Sequence, residues 1–358
     1  MTAEQPRFRM EPLPSSEAPL EMPSELQPRH LARRALPVAG LLVVFGLIVL
    51  LTPGLDQVRH LLETARPGWL VLAVAFEGLS CVSYVVMFRP IFCRHMPVRT
   101  AWELGWSELA MGSIVPASGI GGLALGAWIL REGGMPTNQI ARRSVAFFLI
   151  KGAVNFVAVA VVGVVMAVGL SGPHLSLWLT AFPAAGALAL VALVVLVPRL
   201  GAGTRRPATA GRIVRAMSAS RRALVGGVEE ALAILRAREP LLFLGAIGYW
   251  AWDNAVLWAT FHAFGYSPPI VVVLMAYLIG QLGGLLPLPG GLGGIDGGLF
   301  GAFVVYGAPA AVTAAAVLAY RIILFWLPLL VGSVTFVSLR RGLNRPDRPD
   351  LCVVPAAS

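Results

Sequence analysis

The sequence predicts an all-α, polytopic integral membrane protein with six full crossings plus two re-entrant helical hairpins in an inverted repeat. Three observations predict it. The 358 residues are 57% hydrophobic and 13% charged, with a mean hydropathy of +0.77, more apolar side chain than a water-soluble core could bury. The stretch from Leu286 to Gly298, Leu-Pro-Leu-Pro-Gly-Gly-Leu-Gly-Gly-Ile-Asp-Gly-Gly, lies inside apolar sequence yet suits no ordinary spanning helix. Pro287 and Pro289 remove backbone donors, the glycines weaken any regular element, and Asp296 is costly to expose to lipid. Irregular backbone at membrane depth requires cover from protein or a wet cavity. An extramembrane turn between two helices is the alternative, because Gly and Pro are the strongest turn signals. The third observation, that the chain contains this feature twice, favours the membrane reading.

In order, residues 1–34 read as a disordered cytoplasmic tail rich in Pro and Glu, too polar for a signal peptide. Arg29, His30, Arg33 and Arg34 precede the first crossing, 35–52, and put the amino terminus inside. Residues 55–66 form a short amphipathic stretch on the outer face. The second crossing, 69–92, returns to Arg89, Arg94 and Arg99. The first hairpin spans 102–130: arms 102–115 and 120–130 flank Pro116-Ala117-Ser118-Gly119, and each is shorter than the ~17 residues that span a hydrocarbon core of about 30 Å. It exits at Arg131, Arg142 and Arg143. Residues 144–170 cross outward and 175–197 cross back.

The loop 198–239 holds nine arginines and three glutamates, a cytoplasmic signature. Within it Val214, Met217, Val225, Val228, Leu232 and Leu235 follow a helical stripe, with Arg215, Arg222 and Arg236 off it. That pattern fits either a basic amphipathic helix on an anionic inner leaflet or a solvated linker. Residues 241–264 cross outward. The second hairpin, 270–306, enters from outside, and the last crossing, 310–339, ends at Arg340 and Arg341 before a short cytoplasmic tail, 340–358. The charges alone do not distinguish a hairpin from two crossings; arm length does.

Val115-Pro116 followed by Gly119-Ile120-Gly121-Gly122 parallels Leu286-Pro287 followed by Gly291-Leu292-Gly293-Gly294, and Gly134-Met135-Pro136 parallels Gly307-Ala308-Pro309. Each is followed by a crossing with one basic residue inside it, Lys151 or Arg321. The membrane repeats are therefore 35–170 and 171–339. Hairpins entering from opposite faces relate them by inversion, an arrangement in which interrupted helices meet near the midplane.

The second arm of each hairpin begins after its glycines. A helix amino terminus offers unpaired N–H groups and partial positive charge, and Gly119, Gly121, Gly122, Gly290, Gly291, Gly293 and Gly294 would let a ligand approach closely. Lys151, the single lysine among 27 arginines, and Arg321 add formal charge. The expected ligand is an anionic headgroup. Arg321 could equally pair with Asp296 or Asp253, and Asp296 could simply stabilise its helix end. Glu77, Glu103, Glu108 and Asp253 are the other acids at membrane depth; Glu108 and Asp253 are possible titrating groups, while Glu103 and Glu108 could face the cytoplasmic mouth. The five scattered histidines lack ligand spacing, and Cys81 and Cys93 lie too far apart along one helix for a disulfide, so no metal, redox framework or cofactor is expected.

Pro287-Leu288-Pro289-Gly290-Gly291-Leu292-Gly293 with Asp296, then Tyr320-Arg321 and Phe325-Trp326-Leu327-Pro328, resembles the lysylphosphatidylglycerol synthase transmembrane-region family, the flippase-like domain. The resemblance runs from about Arg34 to Leu339, with weaker motifs in the first half. It implies a bacterial or archaeal inner-membrane protein that moves, or helps move, a polar-headed lipid between leaflets, with Pro287 to Asp296 and Arg321 at its core. Family members usually carry glutamate where this chain has Asp296. Bifunctional relatives add a soluble aminoacyl-transferase domain; the residues after Leu339 are too few to form one, so no enzyme activity is expected.

The resulting expectation is a flippase-like protein with a phosphate headgroup near Lys151 and Arg321, no nucleic-acid partner, and no nucleotide-binding Gly-rich loop. Alternatives are a proton-coupled carrier of a small anionic solute using Glu108 or Asp253, a non-transporting partner of a separate lipid-modifying enzyme, and, last, an intramembrane transferase, for which no His-acid constellation is visible.

Overall fold

The computed structural model describes residues 40, 56–114, 120–170, 177–196, 212–283 and 293–343, and among them the regular structure is entirely helical. The predicted tails and first crossing, apart from Gly40 and 340–343, lie outside the described residues, as does most of each hairpin break. The helices are α1 (Asp56–Glu63), α2 (Pro67–Val86), α3 (Phe88–Ile91), α4 (Val98–Ile114), α5 (Ile120–Glu132) and α6 (Thr137–Ala167), followed by α7 (Leu177–Leu196), α8 (Arg212–Arg236), α9 (Pro240–Ala263), α10 (Ile270–Leu282), α11 (Gly294–Val305) and α12 (Ala310–Leu343). Three segments are long and apolar enough to cross a membrane: 67–91, 137–167 and 310–341. At 24 residues α9 matches them in length, but Asp253 and Asn254 sit in its second half.

The observed helices follow the expected segments with shifts at polar ends. The second predicted crossing bends at Met87, where α2 gives way to α3. The first hairpin arm starts at Val98, not Trp102, because Arg99 and Glu103 pair along the helix at 3.0 Å and extend it into polar surroundings. Its 17 residues reach about 25 Å. The arms α5, α10 and α11 have 13, 13 and 12 residues.

Two apolar cores are stacked along the long helices. One gathers α10 and α11 with Ala73 of α2, Val159 to Met166 of α6, the carboxyl half of α9 and the start of α12. The other gathers α3, α4 and α5 with the end of α2, the start of α6, Leu242 and Ala246 of α9 and Leu339 of α12. Helices α2, α6, α9 and α12 thus run through both cores, and each hairpin belongs to one. Arg94, Arg142, Arg143, Arg340 and Arg341 cluster at the end that holds α4 and α5.

Helices α2 and α9 form the tightest seam and run antiparallel: Phe76 stacks on Trp252 at 5.5 Å, Ser80 Oγ donates to the Tyr249 carbonyl at 3.2 Å, and Ser83 and Met87 lie against Gly245. Small residues bring the backbones together where apolar area alone gives little drive in lipid. The hairpin arms are cross-packed: α4 lies on α12, and α10 touches α6. A Cβ on Gly332 of α12 would stand 2.2 Å from the Trp106 carbonyl oxygen of α4.

Both hairpins end alike. Gly134 (φ +86°) and Gly307 (φ +89°) are left-handed; Met135 N donates to Leu130 O at 3.0 Å and Ala308 N to Phe303 O at 2.9 Å. These are two copies of one glycine-terminated helix end, each followed by a proline that starts the next helix.

Helix α8 docks its apolar stripe on α6. Val225, Val228 and Ala231 are buried, Gly227 lies against Val145, and Arg142 and Arg143 reach Glu229 and Glu230. The stripe read in the sequence as a leaflet contact is therefore used in part against protein.

Candidate functional site

The described end of the second hairpin break is fixed by Asp296. Gly293 turns with φ +85°, a conformation available to glycine at little cost, and α11 begins at the next residue. Asp296 in that first turn accepts the Gly293 N–H at 3.0 Å through Oδ2. Its Oδ1 accepts Arg321 Nε at 2.7 Å, with Nη2 at 2.6 Å, and both side chains are mostly buried. Of the two partners considered for Arg321, Asp296 makes the ion pair, and this internal carboxylate occupies the helix end where the sequence reading put a ligand. A Cβ on Gly283 would lie 2.0 Å from the Gly294 carbonyl oxygen, so the two arms of the second hairpin touch through glycine.

Lys151 lies on α6 opposite the α2–α9 seam. Its ammonium stands 5.5 Å from the Tyr84 ring centroid, 5.2 Å from Phe148 and 5.2 Å from Tyr249. Ring faces attract a cation, most strongly when water is excluded. Among the described residues Lys151 makes no ion pair, although the carboxylates of Glu108 and Asp253 act on it from further away. Glu108, buried in the first hairpin, accepts the Tyr84 hydroxyl at 3.1 Å. Gly122 and Gly126 of α5 lie directly against the Glu108 backbone and carboxylate, which explains glycine at both positions.

Asp253, on α9, is the centre of the constellation. Tyr277 of α10 donates to its Oδ2 and Tyr320 of α12 donates to its Oδ1 at 2.9 Å, while the charges of Arg321 and Lys151 both act on it. Glu77 of α2 faces it across the seam and accepts the Cys81 thiol at 3.3 Å through Oε1; its Oε2 is buried without a hydrogen-bond partner among the described residues. Chemically this is a cluster of acids, phenols and one ammonium set among apolar helices.

Lys151, Glu108, Asp253 and Arg321 thus come into one connected group, with Asp296 joined through Arg321. Gly121, Gly122, Gly293 and Gly294 lie at arm starts. Pro116, Gly119, Pro287, Pro289, Gly290 and Gly291 lie outside the described residues. Glu103 turns to the arginine-bearing end, where it accepts Arg99 at 3.0 Å and Ser338 at 2.8 Å. Sequence reasoning missed Tyr84, Tyr249 and Tyr277, and named Tyr320 only as part of a family motif. The available signal was that a phenol inside an apolar helix needs a partner for its hydroxyl.

The model of the lysylphosphatidylglycerol synthase TM region matches residues 38–332. A UPF0104 membrane protein of Methanothermobacter thermautotrophicus is 40% identical over 96 residues, 26% of this chain and 27% of its own length. Over 319 residues, 82% of this chain and 92% of the relative, identity to a protein of that name and organism is 24%. A UPF0104 membrane protein of Methanocaldococcus jannaschii is 29% identical over 105 residues, 29% of this chain and 31% of the relative. The chain thus spans about a quarter of the first relative in one match and nearly all of the relative in the longest.

Proposed function

The chain belongs to the lysylphosphatidylglycerol synthase TM region family of multi-pass membrane proteins, and from that premise we propose that it is a flippase-like, non-enzymatic carrier of a lipid with an anionic phosphate headgroup. The observation that carries the reading is Lys151: an ammonium on a partly exposed side chain, over three aromatic rings, with no ion-paired carboxylate among the described residues. A phosphate ester would supply the missing counter-charge while its acyl chains stay in lipid. Arg321 and Asp296 tie the second hairpin to α12, and the charges of Arg321 and Lys151 act on the same Asp253.

The topology we propose is six crossings with hairpins 102–130 and 270–306 entering from opposite faces, as two inverted repeats, 35–170 and 171–339. Support comes from the antiparallel contact of α2 with α9, the reciprocal packing of α4 on α12 and α10 on α6, and the matching ends at Gly134 and Gly307. The arginine cluster supports a cytoplasmic location in the cell membrane for that end and for both termini. The outward basic side of α8, with Arg221 and Arg236, would meet the anionic leaflet.

The test is transbilayer movement of a labelled phospholipid in vesicles containing the purified protein. Lys151→Gln should slow it about tenfold or more, the equivalent of one charge-assisted hydrogen bond, with partial retention in Lys151→Arg. Movement at the unmodified rate in Lys151→Gln removes the reading. Saturable uptake of a labelled anionic solute without lipid movement would select the proton-coupled solute carrier, and co-purification of a lipid-modifying enzyme with no transport would select the partner role.

A further inference from the structure

Glu77 has no part in binding the headgroup, yet it is 5% exposed and faces Asp253, itself 6% exposed, across the α2–α9 seam. The donors around the two acids are unequal. Asp253 receives a phenol on each oxygen, from Tyr277 and Tyr320. Glu77 receives one weak thiol donor, Cys81, and its Oε2 is buried with no donor among the described residues. An ionised carboxylate accepts only and needs donors on both oxygens; a protonated one does not. Two like charges facing each other away from water also disfavour double ionisation.

The surrounding charges do not remove that conflict. The groups acting on the pair are Tyr249 on α9, Tyr277 on α10, Tyr320 and Arg321 on α12, and Lys151 on α6, besides Cys81 on α2 itself. Arg321 is already paired with Asp296, and the Lys151 ammonium is shared with Glu108. Asp253 and Glu108 therefore draw on one ammonium, which makes no ion pair among the described residues, and Glu77 has no cation of its own there.

We propose that Glu77 and Asp253 form a proton-binding site, with the proton resident on Glu77 when Asp253 is ionised, and that this site couples the working cycle to the proton gradient. This rests on the transport reading only for its coupling half. The linkage has a definite sign. An anionic headgroup at Lys151 withdraws the counter-charge from Asp253 and favours the proton on the pair; release of the proton to water leaves the pair with a second negative charge, which competes with the headgroup for Lys151 and favours headgroup release. The two ligands assist each other, and by reciprocity each raises affinity for the other.

Infrared spectroscopy of the full chain in phosphatidylcholine nanodiscs tests the site directly. The unmodified protein should show a protonated-carboxyl band at neutral pH that Glu77→Gln removes and Asp296→Asn leaves. Its absence from the unmodified protein, or its survival in Glu77→Gln, overturns the proposal. Glu77→Gln mimics the neutral acid and should fold; if it does not, Glu77→Asp must shift the band, and an unshifted band overturns the assignment. Vesicles carrying labelled phosphatidic acid test the coupling. An imposed pH gradient should change the rate of movement in the unmodified protein, and Glu77→Gln should lose that response. Movement that ignores the gradient in the unmodified protein overturns the coupling. A band lost in Glu77→Gln with no lipid movement in any vesicle upholds the proton site and removes the transport reading instead.

Discussion

Arg321 on α12 grips Asp296 on α11 with Nε and Nη2 at 2.7 and 2.6 Å, while the same carboxylate holds the Gly293 N–H. One side chain thereby joins the hairpin turn to the last long helix. Breaking a largely buried pair leaves the surviving charge without compensation. Arg321→Ala is expected to destabilise the protein by about 2–4 kcal/mol, and Asp296→Ala by at least as much because it also uncaps α11. The double variant should cost less than the sum. Thermal unfolding in detergent, read by exposure of the buried thiols of Cys81 and Cys93 in a Cys352→Ser background, measures all three.

The seam between α4 and α12 permits no side chain at position 332. Gly332→Ala would drive a methyl into the Trp106 carbonyl, a backbone group that cannot turn away, and should cost about 1–3 kcal/mol. Gly301→Ala, where a Cβ meets nothing within 4 Å, is the matched control and should be neutral or slightly stabilising. Comparable melting temperatures for the two variants would mean that α4 and α12 are not in contact at this point.

Asp253 keeps its place through two phenols. Tyr277→Phe and Tyr320→Phe should each cost about 1–3 kcal/mol, the range for hydrogen bonds to a buried charged group. Removing both leaves the carboxylate with no phenol donor, so the double variant should lose more than the two singles added. Simple additivity in the same unfolding assay would show the two bonds to be independent.

Helix α8 is held by packing more than by its ions. The Arg142 contacts to Glu229 and Glu230 are 3.9 Å long and that of Arg143 to Glu230 is 3.4 Å, all between partly exposed side chains, so Glu230→Ala should shift stability by no more than about 1 kcal/mol. Gly227→Leu, aimed at Val145, should detach the helix. Hydrogen exchange of the α8 amides, fast in Gly227→Leu and unchanged in Glu230→Ala, distinguishes the two contributions.

Helix positions were legible because apolar length and flanking arginines mark them: 241–264 was expected and Pro240–Ala263 is observed. Asp296 was legible as a first-turn carboxylate and as one of two partners for Arg321. The other partner, Asp253, is engaged by Tyr277 and Tyr320, whose hydroxyls come from helices 24 and 67 residues away in sequence. No local period encodes such meetings. The α8 stripe was legible too, but amphipathicity says only that a face seeks apolar cover, and α6 provides part of that cover.

The sequence by itself determined that this chain is a helical membrane protein, since hydropathy and arginine placement are local properties that act wherever the chain lies. Only the tertiary structure decided which charges are neighbours. In a low-dielectric interior the state of each ionisable group is set by groups within a few ångströms. Those come from α2, α6 and α9 to α12, and the packing of these helices gave Arg321 to Asp296, two phenols to Asp253 and three rings to Lys151, and left one oxygen of Glu77 without a partner among the described residues.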